Sequence, residues 1–243
     1  MEINQLKETG ADIAFVMPSH QYPLGIVMPI KRRLELLKWA DEEELRYIIE
    51  DDYDSEFRYK GKPIPALQGY DSHDKVIYMG TFSKSIAPAI RMSYMVLPAS
   101  LLSLYQERSG FLNSTVPKVD QLIVQKFIEE GYYERHLNKT RALYKSRHDV
   151  LLGCLKGIQD ICTVSGENSG VHLLLHFREG LSEEELIKRA EARGIKVYGL
   201  TEHYVEPQKK RNATILLGYA NMNEEQIKEA VSILKRAWRQ KEI

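Results

Sequence analysis

A lysine set among hydroxyl side chains is where the chemistry of this sequence starts: Thr81-Phe82-Ser83-Lys84-Ser85, with an arginine at position 91, inside the run from Tyr78 to Tyr94. An amine just beyond a buried strand loses part of its hydration, which favours the neutral form that condenses with a carbonyl to a Schiff base. Lys84 is the candidate for that step. Thr81, Ser83 and Arg91 offer two hydroxyls and a guanidinium fork, a donor set suited to a phosphate dianion. On composition alone, a lysine on a solvated turn explains the segment better. A second cluster reverses that weighting: in Ile48-Ile49-Glu50-Asp51-Asp52-Tyr53-Asp54 a carboxylate-rich stretch follows an apolar run. A carboxylate at such a strand tip could hold a proton on a heteroaromatic nitrogen, although acidic turns are common and the cluster is weak taken by itself.

The elements that must position these residues follow from hydrophobic periodicity. Short apolar runs at Ile13 to Met17, Tyr47 to Glu50, Val76 to Met79 and Ser93 to Leu97 read as strands, with a helix from about Pro29 to Glu44 between the first two. Continuous apolar runs suit strands covered on both faces, so a mostly parallel α/β sheet is expected. Ligands in such sheets bind beyond the carboxyl ends of the strands, where Pro18 to Gly25, Asp51 to Tyr53 and Thr81 to Lys84 fall. From about Pro117 to Lys156 the pattern is helical and interrupted at Gly131. Beyond it come a strand at Val171 to Phe177, a helix opened by the capping box Ser182/Glu185, strands at Ile195 to Tyr198 and Thr214 to Ala220, and an amphipathic helix from about Asn223 to Arg239. The expected division is a sheet domain over 1–130, a connecting helix over 131–157 and a smaller α+β domain over 158–243. The polar stretch Glu206 to Asn212 reads as a surface loop.

Composition excludes several classes. The 243 residues carry 34 Lys plus Arg against 34 Asp plus Glu, so no excess positive field exists to hold a nucleic-acid backbone. With 43% hydrophobic and 28% charged residues the chain is expected to fold as a globule. Its two cysteines, Cys154 and Cys162, lack metal-ligand spacing and read as buried reduced thiols. No apolar stretch reaches membrane-spanning length, and Met1-Glu-Ile-Asn-Gln5 lacks a signal-peptide profile, so a cytoplasmic protein is expected.

Together, the two clusters resemble the fold type I pyridoxal-phosphate enzymes of the class I/II aminotransferase group, whose motif is Ser-x-Ser-Lys followed seven or eight residues later by arginine. The resemblance narrows with Pro18-Ser19-His20-Gln21-Tyr22-Pro23-Leu24-Gly25, Glu50 to Phe57 and Thr81 to Ser85, which in order and spacing look like the aminotransferase-like half of MocR-type regulators in the GntR family. In that group a winged helix-turn-helix precedes an effector domain that binds pyridoxal 5'-phosphate and usually forms a homodimer. The resemblance implies that Lys84 forms the aldimine, that Thr81, Ser83 and Arg91 hold the phosphate, that Asp51 pairs with the pyridine nitrogen, and that Tyr53 meets the phenolic oxygen. The common aminotransferase spacing is Asp-x-x-Tyr, one residue longer than Asp51-Asp52-Tyr53, so Asp52 stays as the alternative partner. By analogy His20 and Gln21 sit near the ring oxygen, with a turn-stabilising role as the competing reading.

The resemblance covers essentially all of this chain, but the winged helix and the first part of the large domain are expected to lie outside it. The chain then holds about half a site and binds cofactor poorly when alone. The strand Ile215-Leu216-Leu217-Gly218-Tyr219 carries leucine where aminotransferases commonly carry the arginine that grips a substrate carboxylate. Arg211 and His203 nearby read as solvated loop residues, and Trp39, Tyr94 and Trp238 as core or interface. Three functions follow as expectations. The first is a pyridoxal-phosphate effector domain sensing an amino compound, coupled to DNA only through the absent winged helix. The second is an active aminotransferase, and the third a folded fragment that retains no cofactor.

Overall fold

The computed structural model of the chain describes residues 2–61, 64–178, 180–205 and 212–239. They divide into two compact units, Met1–Gln21, Ile26–Glu56 and Lys62–Thr140 forming the first, and Tyr22–Gly25, Phe57–Gly61 and Arg141–Ile243 the second.

The first unit begins with α1 (Ile3–Glu8), β1 (Ile13–Val16), α2 (Ile30–Asp41), β2 (Tyr47–Asp52) and β3 (Val76–Thr81). The single turn α3 (Phe82–Ser85) then leads to β4 (Ser93–Val96), α4 (Ala99–Ser109) and α5 (Lys118–Glu129). The sheet order is β1-β2-β3-β4. The first three strands are parallel and β4 returns antiparallel to β3. One face carries Ala14, Val16, Ile48 and Val76, packed under Leu36, Leu37, Trp39 and Ala40 of α2 and Ile3 of α1. These four α2 residues stand at i, i+1, i+3 and i+4 and so share one side of the helix, the apolar stripe it buries. The other face is open: Ile13 is 57% and Phe15 52% exposed, and Tyr47 and Ile49 are only half-buried. This corrects the expectation of strands covered on both faces. The apolar runs occupy both strand parities, but α1 and α2 cover one side only.

Two buried charges stitch the loops of this unit. Arg33, fully buried on α2, donates from its guanidinium to the carbonyls of Met28 (3.1 Å), Pro65 (2.7 Å) and Pro18 (2.8 Å). Glu50, equally buried, accepts from the backbone N–H of Leu67 (2.7 Å) and Gln68 (2.8 Å), and burial pushes its carboxyl up. Such groups persist inside a fold only when their hydrogen-bonding capacity is met.

After α5 the chain breaks at Gly131, whose φ of 71° is left-handed, and continues as α6 (Tyr132–Leu155). The expected helical stretch is therefore two helices, divided where the glycine is. The second unit continues with β5 (Cys162–Ser165), β6 (His172–Phe177), α7 (Glu183–Glu191), β7 (Tyr198–Gly199), β8 (Thr214–Gly218) and α8 (Glu224–Arg239). Its sheet is antiparallel throughout, in the order β5-β6-β8-β7. Leu173, Leu175, Phe177, Ile215 and Leu217 pack against Leu186 of α7 and Ile227, Val231, Leu234 and Trp238 of α8. Trp238 also donates its indole N–H to Leu186 O at 3.0 Å. The capping box at Ser182 and Glu185 forms as expected. On the opposite face Leu174, Leu200 and Leu216 form a second cluster with Leu24 and Tyr204. The hydroxyls of Tyr59 and Tyr219 both donate to Gly170 O at 2.8 Å, and His172 Nε2 lies 3.0 Å from Pro23 O. The strand expected at Ile195 to Tyr198 pairs only from Tyr198 on. Cys162 is buried, which pushes its thiol up to about 11, while Cys154 is only half-buried. Among the described residues no helix is long and apolar enough to cross a membrane.

Candidate cofactor-binding site

Strand geometry sorts the acidic cluster. Asp51 and Asp52 are neighbours on β2, so their side chains leave opposite faces of the sheet. Asp52 turns to the covered side and is saturated: its carboxylate accepts from Ser55 N (3.3 Å), Ser55 Oγ (2.8 Å) and the Tyr78 hydroxyl (2.9 Å). Asp54 is 1% exposed and both its oxygens lie on His20 Nδ1, at 2.9 and 3.0 Å. Asp51 is half-buried on the open face and, among the described residues, accepts no hydrogen bond and meets no cation. Burial, and then the negative charges of Asp52 and Asp54, push its carboxyl above the usual carboxylate range. A carboxylate in that condition gains most from an N–H⁺ group placed against it.

The lysine turn grows from the end of β3. Thr81 caps α3, its hydroxyl accepting from Ser83 N at 3.1 Å and donating to Met92 O at 3.2 Å. One helical turn later the backbone passes Pro88 and reverses at Arg91, whose φ of 47° lets β4 return beside β3 with Ser93 opposite Thr81. Lys84 and Arg91 are exposed and enter no ion pair among the described residues, and the Ser83 hydroxyl is unengaged there too. Asp51 stands opposite Met79 in the register, and Thr81 is the next residue of the same parity on β3. The open face therefore carries the carboxylate and the lysine turn at one end of the sheet. An amine, a hydroxyl and a guanidinium without partners among the described residues, at the same end of the sheet as a carboxylate that meets no cation there, fit a group with a carbonyl, an anion and a basic ring nitrogen.

The other expected residues have protein partners or lie elsewhere in the fold. His20 is 2% exposed with Nδ1 turned to Asp54, so its ring is sealed in the first unit. Gln21 pairs through its backbone with Ile26, N to O at 2.9 Å. The Tyr53 hydroxyl donates to His20 O at 2.8 Å. Trp39 and Trp238 are core, but Tyr94 is 42% exposed and its ring lies so close over Gly80 that a Cβ there would come within 2.3 Å. Tyr78 and Ser55, the partners of Asp52, carried no signal in the sequence, since only the β2–β3 register brings Tyr78 to it. In the second unit, Leu216 is buried against Leu174 and Leu200 where the resemblance places an arginine. His203 is exposed with its ring edge-on to Tyr22 at 5.2 Å, and Arg211 lies outside the described residues.

The chain is similar to known aminotransferases and transcription regulators. The family model described as aminotransferase class I and II matches residues 3–234. An uncharacterized HTH-type transcriptional regulator of Bacillus subtilis, YdeL, is 42% identical over 238 residues, which is 98% of this chain and 51% of that protein. The probable rhizopine catabolism regulatory protein MocR of Rhizobium meliloti is 33% identical over 227 residues, covering 93% of this chain and 45% of its own length. The solved kynurenine aminotransferase of Pyrococcus horikoshii superposes with a TM-score of 0.81 at 26% identity, over 97% of this chain and 58% of that one. The chain thus spans about half the length of the curated relatives it matches.

Proposed function

This chain belongs to the class I and II aminotransferase family, and from that premise we propose that it is the pyridoxal-phosphate-binding effector part of a MocR/GntR-type transcription regulator that senses an amino compound. The observation that carries the reading is that Asp51, which meets no cation among the described residues, and the lysine turn lie at one end of the same open sheet face. Pyridoxal phosphate, when bound, supplies a carbonyl that condenses with primary amines and a ring that withdraws electrons from them. Lys84 supplies the amine. Ser83 and Arg91 would donate to the phosphate, and Thr81, whose proton already goes to Met92 O and which accepts from Ser83 N, orders the turn that carries them. Asp51 holds the proton on the ring nitrogen, and Tyr53 stands by the phenolic oxygen.

The regulatory half of the proposal rests on the relatives and on Leu216. A buried leucine cluster offers no cation to a carboxylate among the described residues of that face. Substrate grip for turnover is therefore weak, while retention of an amine is not impaired. We further propose DNA binding through a helix-turn-helix beyond this chain, as the name of the HTH-type regulator YdeL suggests, and a homodimer in the cytoplasm.

Incubation with pyridoxal phosphate, reduction with borohydride and peptide mapping tests the cofactor assignment. The pyridoxyl mass is expected on the peptide containing Lys84 and lost in Lys84→Ala. Equal labelling of that variant would overturn it.

A further inference from the structure

The buried pair formed by His20 and Asp54 has no part in the cofactor contacts just described. Both side chains are removed from water, at 2% and 1% exposure, and both carboxylate oxygens lie within 3.0 Å of Nδ1. Burying such a pair carries a desolvation penalty that the pair's own attraction rarely exceeds, so its value lies in fixing geometry. What it fixes is visible. The Nδ1–H directed at Asp54 also lies 3.2 Å from the Tyr53 oxygen, and the Tyr53 hydroxyl donates to the backbone carbonyl of the same histidine at 2.8 Å. The two rings lie 6.0 Å apart, tilted by 31°. The Tyr53 phenol is thus held at two points of one residue, and the orientation of that residue's ring is set by Asp54.

The geometry points to Asp54 and His20 as positioning residues for Tyr53: the pair commits the phenolic proton of Tyr53 to His20 O, so Tyr53 meets a ligand with its oxygen in a preset direction. This rests on the proposed cofactor site only for the identity of the ligand. The arrangement itself belongs to the protein without ligand. Asp54 is two residues past the end of β2 and His20 lies in the loop after β1, so the device joins the two loops that follow neighbouring parallel strands. It differs from the Asp52–Tyr78 contact, which joins residues of adjacent strands.

The test uses the full chain and two readouts. In ¹⁵N-histidine-labelled protein without cofactor, the His20 Nδ1–H signal, identified by its loss in His20→Asn, is expected far downfield. It should move in Tyr53→Phe and leave that region in Asp54→Asn. An unmoved signal in Tyr53→Phe overturns the coupling whether or not cofactor binds. The second readout is a double-mutant cycle on pyridoxal-phosphate affinity. Asp54→Asn should weaken binding about tenfold, the equivalent of one lost hydrogen bond, but should add nothing in a Tyr53→Phe background. His20→Asn, which keeps an N–H near the place of Nδ1 and strands no bulky cavity, should retain most of the affinity. An equal loss from Asp54→Asn in both backgrounds would mean a merely structural pair and overturn the proposal. Failure of the complete protein, including the part of the large domain expected beyond this chain, to bind would sink the proposed function, leaving the histidine signal to decide the positioning role.

Discussion

Replacing Asp51 and Asp52 in turn by asparagine should separate binding from folding across two adjacent residues. Asp52 accepts three hydrogen bonds, from Ser55 N, Ser55 Oγ and Tyr78 Oη. Asparagine offers one acceptor oxygen and turns an NH₂ toward a donor, so at least one bond to a charged acceptor is lost, at about 1.5–3 kcal/mol. Asp51 accepts no hydrogen bond among the described residues, and burial, then the negative charges of Asp52 and Asp54, disfavours its ionised form. Because its carboxyl is raised in the fold, its charge disfavours the folded state once pH rises through the folded value, and that cost is absent below the unfolded value of 3.8. Asp51→Asn is therefore expected to stabilise the cofactor-free protein at neutral pH by a few tenths of a kcal/mol, about what solvent screening leaves of such a repulsion, and not at acid pH. Pyridoxal-phosphate affinity should respond in the opposite order. Asp51→Asn removes a charge-assisted bond to the ring nitrogen, about tenfold to a hundredfold in affinity, whereas Asp52→Asn acts only through stability. Urea unfolding and spectroscopic titration of both variants supply the comparison. Should Asp51→Asn destabilise the cofactor-free fold as much as Asp52→Asn, or leave affinity untouched while Asp52→Asn abolishes it, the assignment of roles by strand parity is wrong.

Glu50→Ala takes the acceptor from the buried backbone N–H of Leu67 and from the part-buried one of Gln68; a loss of about 1–3 kcal/mol in urea unfolding is expected, and a loss near zero would show that water replaces the carboxylate. Burial holds His176 below its ordinary value of 6.5. Stability that is present above 6.5 is therefore lost as pH falls through the lower folded value, and wild type should weaken more than His176→Gln between neutral and mildly acid pH; parallel curves would refute this. With Leu216 buried in place of an arginine, steady multiple turnover with common amino acids and 2-oxoglutarate is not expected, and its observation in an amino-donor assay would restore the enzymatic reading.

Elements with strong periodicity were legible before any coordinates. The spacing of Ile227, Val231, Leu234 and Trp238 announces α8, and Leu173 to Leu175 read as a buried strand because β6 is covered on both faces. The lysine turn was legible for a different reason: Thr81, Ser83, Lys84 and Arg91 are close in sequence, so local chemistry is preserved. β5 gave no signal, since Cys162-Thr-Val-Ser165 has few apolar residues and forms only by pairing with β6. β2 runs past its expected end at Glu50 because Asp51 and Asp52 pair with Met79 and Gly80, a register that outweighs the poor strand preference of aspartate. His20 and Asp54 are 34 positions apart, and no local pattern could have joined them.

The second unit is not a contiguous stretch of chain, and this bears on how the protein is made. Tyr22–Gly25 and Phe57–Gly61 belong to it, yet both leave the ribosome long before Gly170 and His172, to which Tyr59 and Pro23 are joined. The strands of the first sheet can pair while synthesis continues. The two short segments must wait, and each later closes a long loop whose entropy cost grows only slowly with its length. Until then Leu24, destined for the cluster with Leu174, Leu200 and Leu216, has no apolar neighbours of its own unit to pack on. Severing the chain at Thr140 would for the same reason not liberate an autonomous domain: a piece starting at Arg141 would lack the side chain that packs on one face of its sheet and the tyrosine that shares the Gly170 carbonyl with Tyr219.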